Sequence, residues 1–189
     1  MQIPVVGFDP SLNNWGIAEA RLDLESGFLT DLTLSIAQPK VDKALKKKVR
    51  VNSTDLQRAE ELAELAFRTA ERAKIIFVEV PVGSQNARAM ASYGVCIGIL
   101  GSLRAKGMEI IEVTPDENKK IFTGNKNATK ELMITTAHGL YPQANWPMQG
   151  GKIIASKAEH MADAVAAIHA GVHTPVFQNL MRLLTRTKE

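Results

Sequence analysis

The run KIIFVEV at residues 74–80 is the feature that most constrains the fold. It is shorter than a helix, apolar almost throughout, and stopped by Pro81 and Gly83, which is the pattern of a strand covered on both faces. Such a strand needs helices above and below it. The flanking segments supply them. From Asp55 to Arg72, Leu56, Ala59, Leu62, Ala63, Ala66, Phe67 and Ala70 recur at three and four, with Thr54 or Asp55 as the expected cap. Residues 84–106 read as a second helix, in which Ala89, Gly94, Gly98 and Gly101 permit close packing while Gly lowers intrinsic propensity.

Three more strands are expected before this unit, at Ile3–Asp9, Trp15–Arg21 and Gly27–Ala37, close enough for an antiparallel meander. Residues 38–53 form a polar, basic connection. MEIIEVTP is a further strand, and its proline opens a short helix, DENKKIF, ending at Thr123 and Gly124. Ala128–Leu140 is helical, residues 141–152 form a loop with two prolines and two glycines, and residues 156–173 form the last core helix with Ser156 as its cap. The order predicts an α/β fold: one domain over residues 1–174, a mixed central sheet flanked by helices, and a tail at 175–189.

A chain of 189 residues buries a sufficient core without disulfides. The single cysteine, Cys96, lies in the apolar run YGVCIGIL and reads as a core residue of a reducing compartment. MQIPVVGFDP lacks a basic leader, and no apolar run approaches the roughly 20 residues of a membrane span, so a cytoplasmic location is expected. The net charge of +3 is unevenly spread: KVDKALKKKVR, residues 40–50, carries six basic residues against one acidic. That segment is either a solvated face or a contact for a phosphate backbone. Without interleaved aromatics it is no stacking platform.

The acids at element ends are more specific. Asp9 ends the first strand and Glu79 the fourth; if those strands are neighbours, both carboxylates reach one sheet edge. On the last helix His160 and Asp163 are three apart and share a face, as do Glu159 and Asp163 at four. Glu159 and His160, about 100° apart around the helix, are expected to point differently. Met161, Ala162, Ala164, Val165 and Ala166 surround Asp163 with apolar neighbours, where a carboxylate needs hydrogen bonds or a cation. Carboxylates with one imidazole and no thiolate cluster suit magnesium or manganese rather than structural zinc. Cap and salt-bridge roles for the acids, and a hydrogen-bonding role for His160, are the alternatives.

Four blocks in order, VVGFDPSLNNWGIA, IIFVEVPVGSQNARAMASYGVCIGIL, VTPDENKKIFTGNKNATKELM and EHMADAVAAI, resemble the RuvC-type Holliday junction resolvases, which have the RNase H-like fold. They span most of residues 3–170. The resemblance implies a magnesium-dependent homodimer that nicks four-way DNA junctions in pairs, with two ions per site and manganese as a substitute. Its metal and catalytic positions fall on Asp9, Glu79, His160 and Asp163, with Glu159 as a secondary candidate. Its basic catalytic positions fall on Lys119 and Lys130. With Lys120 and Lys126, and with Lys43, Lys46, Lys47, Lys48 and Arg50 of the basic connection, these would contact DNA. The long helix 84–106 would carry the dimer surface.

The chain departs from the family pattern at Val82, where an aromatic is common, at Ser11, where a glycine is usual, and in its longer basic connection. The longer connection suggests a viral, bacteriophage-encoded or otherwise divergent member that processes several branched structures in the bacterial or infected-host cytoplasm. A nuclease of the same fold acting on flaps, forks or replication intermediates, and a non-catalytic branched-DNA-binding protein, are the rival readings.

Overall fold

A computed structural model describes residues 1–41 and 51–186. Lys43, Lys46, Lys47, Lys48 and Arg50 lie outside the described residues. In chain order the elements are β1 (Gln2–Asp9), β2 (Trp15–Asp23), β3 (Leu29–Ala37), α1 (Val51–Ala70), β4 (Ile75–Glu79), α2 (Ala87–Ala105), β5 (Ile110–Val113), α3 (Pro115–Thr123), α4 (Lys130–Leu140), β6 (Met148–Gln149), β7 (Lys152–Ile153), α5 (Ala155–Gly171) and α6 (Pro175–Arg186). The first three strands form the expected antiparallel meander. β4 and β5 then add in parallel on the other side of β1, giving the sheet order β3-β2-β1-β4-β5.

Alternation of side chains along the strands sends residues to two apolar clusters, one on each face. Val6, Phe8, Ile17, Ile76 and Val78 pack with Leu62, Ala66 and Leu103 of α1 and α2, and Cys96 is buried among them. Val5, Ala18, Phe77 and Ile111 pack on the opposite face with Met133 and Ala137 of α4 and Ala162 and Val165 of α5. β4 is therefore covered on both sides, as its continuous apolar run requires.

α5 lies unusually close to the sheet, and two glycines make that possible. A Cβ on Gly7 would sit 2.0 Å from the Ala164 carbonyl oxygen, and one on Gly16 would sit 2.0 Å from that of His160. Small residues in both strands thus set the helix carrying His160 and Asp163 directly over β1 and β2.

Element ends differ from the sequence reading in instructive ways. α1 already includes Val51, so Asp55 is not its cap; buried inside the helix, Asp55 accepts hydrogen bonds from Arg58 at 2.9 Å and from Arg88 of α2 at 2.8 Å. Those guanidinium groups, Arg88 first, hold its pKa below the usual carboxylate value. α5 begins at Ala155 with Ile154 at the cap position and no side-chain cap, so Ser156 lies within the helix. The 141–152 loop contains one strand of a small hairpin, β6–β7, turning on Gly150 and Gly151, both at positive φ. The tail is helical over Pro175–Arg186, and buried Phe177 packs its ring 5.7 Å from that of Phe77. Among the described residues no helix is long and apolar enough to cross a membrane.

Candidate active site

β1 and β4 are parallel neighbours with Phe8 opposite Val78. The residues that follow, Asp9 and Glu79, therefore leave the sheet side by side at its carboxyl edge, where open α/β sheets characteristically place ligands. The turn after β1 reverses without covering them. Ser11 Oγ donates to the Asn14 carbonyl at 3.0 Å and accepts from the Asn14 N–H at 3.1 Å, so the hydroxyl closes the turn.

α5 supplies the third wall. With Gly16 letting the helix rest on β2, His160 Nδ1 lies 2.7 Å from Asp9 Oδ2. Asp163 follows on the same face, so Asp9, Glu79, His160 and Asp163, far apart in sequence, meet at one edge. Their electrostatics are coupled. Burial and then the charge of Asp9 push the Glu79 pKa up to about 7. Burial, then the charges of Asp9 and Glu79, push Asp163 up to about 8. The hydrogen bond that His160 donates to Asp9 raises the pKa of the imidazole despite its burial.

Glu159 does not point away as the helix angle suggested. Its long side chain bends back, placing Oε1 3.6 Å from His160 Nε2 and Oε2 2.7 Å from Lys130 Nζ. A chain of contacts, Lys130 to Glu159 to His160 to Asp9, thus runs along the rim. Lys130, expected at a phosphate, is here paired with Glu159, which raises its pKa. Lys119 is half-buried, and its positive charge opposes the upward shifts of both Glu79 and Asp163. Lys120 and Lys126 are exposed on α3 and the turn that follows it.

Sequence reading missed Asn118, which is fully buried. Its Nδ2 donates to Glu79 Oε2 and, at 3.2 Å, to the backbone carbonyl of Asp163. The available signal was helical spacing: Asn118 lies four residues before Phe122 and shares its inward face. The local chain directs it there. Thr114 and Glu117 form a reciprocal capping box at the start of α3, Pro115 occupies the first turn, and Gly124 ends the helix at a φ of 76°.

Among the described residues no group of three His, Cys, Asp or Glu side chains is already arranged to hold a metal ion. Protein partners occupy them instead: Asn118 holds Glu79, His160 holds Asp9, and Lys130 holds Glu159. The donor chemistry nevertheless fits a hard divalent cation. Asp9, Glu79 and Asp163 offer carboxylate oxygens in one partly desolvated place, and the raised pKa values of Glu79 and Asp163 register repulsion that a cation would relieve.

No protein-family model and no curated protein sequence matches the chain. Solved structures do. RuvC of T. thermophilus in complex with a Holliday junction substrate superposes with a TM-score of 0.61 at 18% identity, over 94% of this chain and 96% of that one. A second Thermus thermophilus RuvC structure gives 0.59 at 17%, over 95% and 96%. The Fowlpox virus resolvase, in complex with Holliday junction DNA, gives 0.51 at 12%, over 95% and 99%. At these identities the likeness is one of fold: the chain has the RNase H-like architecture of these resolvases along nearly its whole length.

Proposed function

We propose that this chain is a divalent-cation-dependent endonuclease that nicks branched DNA, four-way junctions above all. The observation that carries the reading is the convergence of Asp9, Glu79 and Asp163 from three elements on one sheet edge, with His160 bonded to Asp9. The architecture shared with junction resolvases supports the substrate class.

Magnesium, or manganese in its place, held as a pair of ions by Asp9, Glu79 and Asp163 with His160 beside them, would supply Lewis-acid polarisation and a nucleophile at neutral pH for phosphodiester hydrolysis. The side chains around that centre have separable tasks. Asp9 Oδ2 accepts from His160 Nδ1, which fixes the ring and leaves Nε2 to accept a proton when neutral or donate one when charged. Lys119 faces the acids and offsets charge on the phosphate oxygens. Lys130 joins it on exchanging Glu159 for the backbone.

Lys120, Lys126 and the basic connection with Lys43, Lys46, Lys47, Lys48 and Arg50 add contacts to the DNA arms. A homodimer would present two such sites for paired nicks, and α2, which exposes Met90 and Ile97, provides an apolar surface for it. Val82, 82% exposed three residues after Glu79, is the side chain best placed to press on junction bases, with less stacking area than an aromatic.

The test is cleavage of a mobile four-way junction, a fork, a flap and a duplex by one preparation in magnesium. Paired nicking of the junction is expected, abolished by EDTA and by Asp9→Asn. Equal cutting by both proteins would overturn the site, and faster cutting of forks or flaps would overturn the substrate class.

A further inference from the structure

Asn118 has no counterpart among the acids and lysines of the proposed mechanism, yet it is the most enclosed polar side chain next to them, with a relative exposure of 0%. The orientation of its amide is determined by its neighbours. The Asp163 main-chain carbonyl can only accept, so the side-chain nitrogen must face it, and the same nitrogen donates to Glu79 Oε2. The other end of the amide, Oδ1, is buried and among the described residues accepts no hydrogen bond. A buried acceptor left unpaired opposes folding, so packing alone would favour an apolar residue here. The donor end is what an apolar residue could not supply.

That donor joins three elements. α3 carries Asn118, β4 ends at Glu79, and α5 contributes Asp163. Because Asn118 engages one Glu79 oxygen, the carboxylate is held in one rotamer, and no hydrogen bond among the described residues reaches its second oxygen, Oε1. The same amide binds the main chain of the residue that bears the third acid, so Glu79 and Asp163 are set at a fixed separation across β4 and α5.

We propose that Asn118 is the positioning residue of the carboxylate centre: its side-chain N–H groups orient Glu79 and lock it to α5, so that Glu79 Oε1 is presented with Asp9 and Asp163 to a divalent cation. This inference rests on the reading of the acids as a cation site. Partners that orient a ligating group in this way change metal affinity by about 10–100-fold when removed.

The experiment measures manganese binding by calorimetry on the full chain without DNA, so that its readout is separate from cleavage. Asn118→Leu and Asn118→Ala remove the donor, and Glu79→Gln removes the carboxylate it orients; circular dichroism and melting identify the variants that fold. Each Asn118 variant is expected to weaken manganese binding about 10–100-fold and to leave junction affinity in EDTA unchanged. In the Glu79→Gln background the same substitutions should have little further effect, because a positioning residue acts through the group it positions. Undiminished manganese affinity in the folded Asn118 variants overturns the inference, as do additive losses in the double variants, which a merely structural role would give. Undiminished affinity in Glu79→Gln alone overturns instead the reading of the acids as a cation site. Should Asn118→Leu fail to fold, Asn118→Ala, which leaves space and removes the same donor, decides the matter.

Discussion

The Asp163 carboxylate opposes folding through its burial beside two other acids. Its carboxyl pKa, normally 3.8, rises to about 8 in the fold because of burial and the charges of Asp9 and Glu79. A carboxyl raised on folding binds protons more tightly in the native state, so its cost to stability is full above pH 8 and shrinks as pH falls toward the unfolded value. Asp163→Asn, read by melting in EDTA, should therefore raise Tm, and by more at pH 8 than at pH 6, while abolishing cleavage. Magnesium should raise the wild-type Tm and narrow the gap. An equal gain at both pH values would show that the carboxylate is not strained.

Glu159 gives a second prediction at the same scale. Because it already neutralises Lys130, Glu159→Gln should tighten junction binding and steepen its salt dependence by about one charge, whereas Lys130→Gln, which leaves Glu159 unpaired, should weaken binding and flatten the slope. Unchanged binding by Glu159→Gln would remove Lys130 from the DNA surface. The position of Glu159 was not legible in the sequence, since helix geometry fixes the direction of Cβ but not where a long side chain bends to meet a cation. Asn118 was illegible for a related reason: its partners come from β4 and α5, and only tertiary packing brings them together. Asp9, Glu79, His160 and Asp163 were legible because a strand end or a helix face determines where each points.

At the scale of elements, the site depends on how closely α5 rests on the sheet. Gly16→Ala would drive a methyl group into the His160 carbonyl, 2.0 Å away, and backbone cannot yield as a side-chain tip can. The helix must lift, and overpacking of this kind costs about 1–3 kcal/mol or more. Cleavage should fall with stability although Gly16 touches no substrate, because His160 leaves Asp9. The control is Gly139→Ala at an exposed position of α4, where an added Cβ meets nothing within 4 Å and helix propensity should add about 0.5–1 kcal/mol. Denaturant unfolding of both variants is the measurement, and destabilisation by Gly139→Ala, or none by Gly16→Ala, would contradict the packing. The β6–β7 hairpin and α6 lie where a loop and a tail were expected, whereas the order of β1–β5 and α1–α5 and the doubly covered β4 followed from apolar patterning with its turn signals. The start of α1 did not, because Asp55 has the sequence signature of a cap and is instead a buried partner of Arg58 and Arg88. The docking of α6 likewise depends on Phe177 finding Phe77, a contact no local pattern encodes.

Across the whole molecule, α5 links two ends with opposite responses to acid. Nine residues, about 14 Å along the helix, separate His160 at the acidic edge from His169 at the far end. There Tyr141 accepts from the Leu29 N–H at 3.3 Å and its hydroxyl shares a hydrogen bond with His169 Nε2 at 2.7 Å, tying α4 and α5 to the start of β3. Burial, and next the charge of His173, lower the His169 pKa to about 4. Between pH 6.5 and 4 the unfolded state then binds a proton that the native state refuses, so stability is lost as pH falls through that window. The shift corresponds to at most roughly 3 kcal/mol. Glu79 and Asp163 work in the reverse sense, taking up protons in the native state over an overlapping range, so the wild-type curve alone conceals both. His169→Gln keeps an acceptor for Tyr141 and removes the titration. Denaturant unfolding in EDTA from pH 7 to pH 4 should show the variant losing less stability than the wild type, the difference growing below pH 6.5, while manganese affinity at pH 7.5 stays the same. Parallel curves would mean that His169 is protonated in the folded chain, and altered manganese affinity would mean that the two ends of α5 are coupled rather than independent.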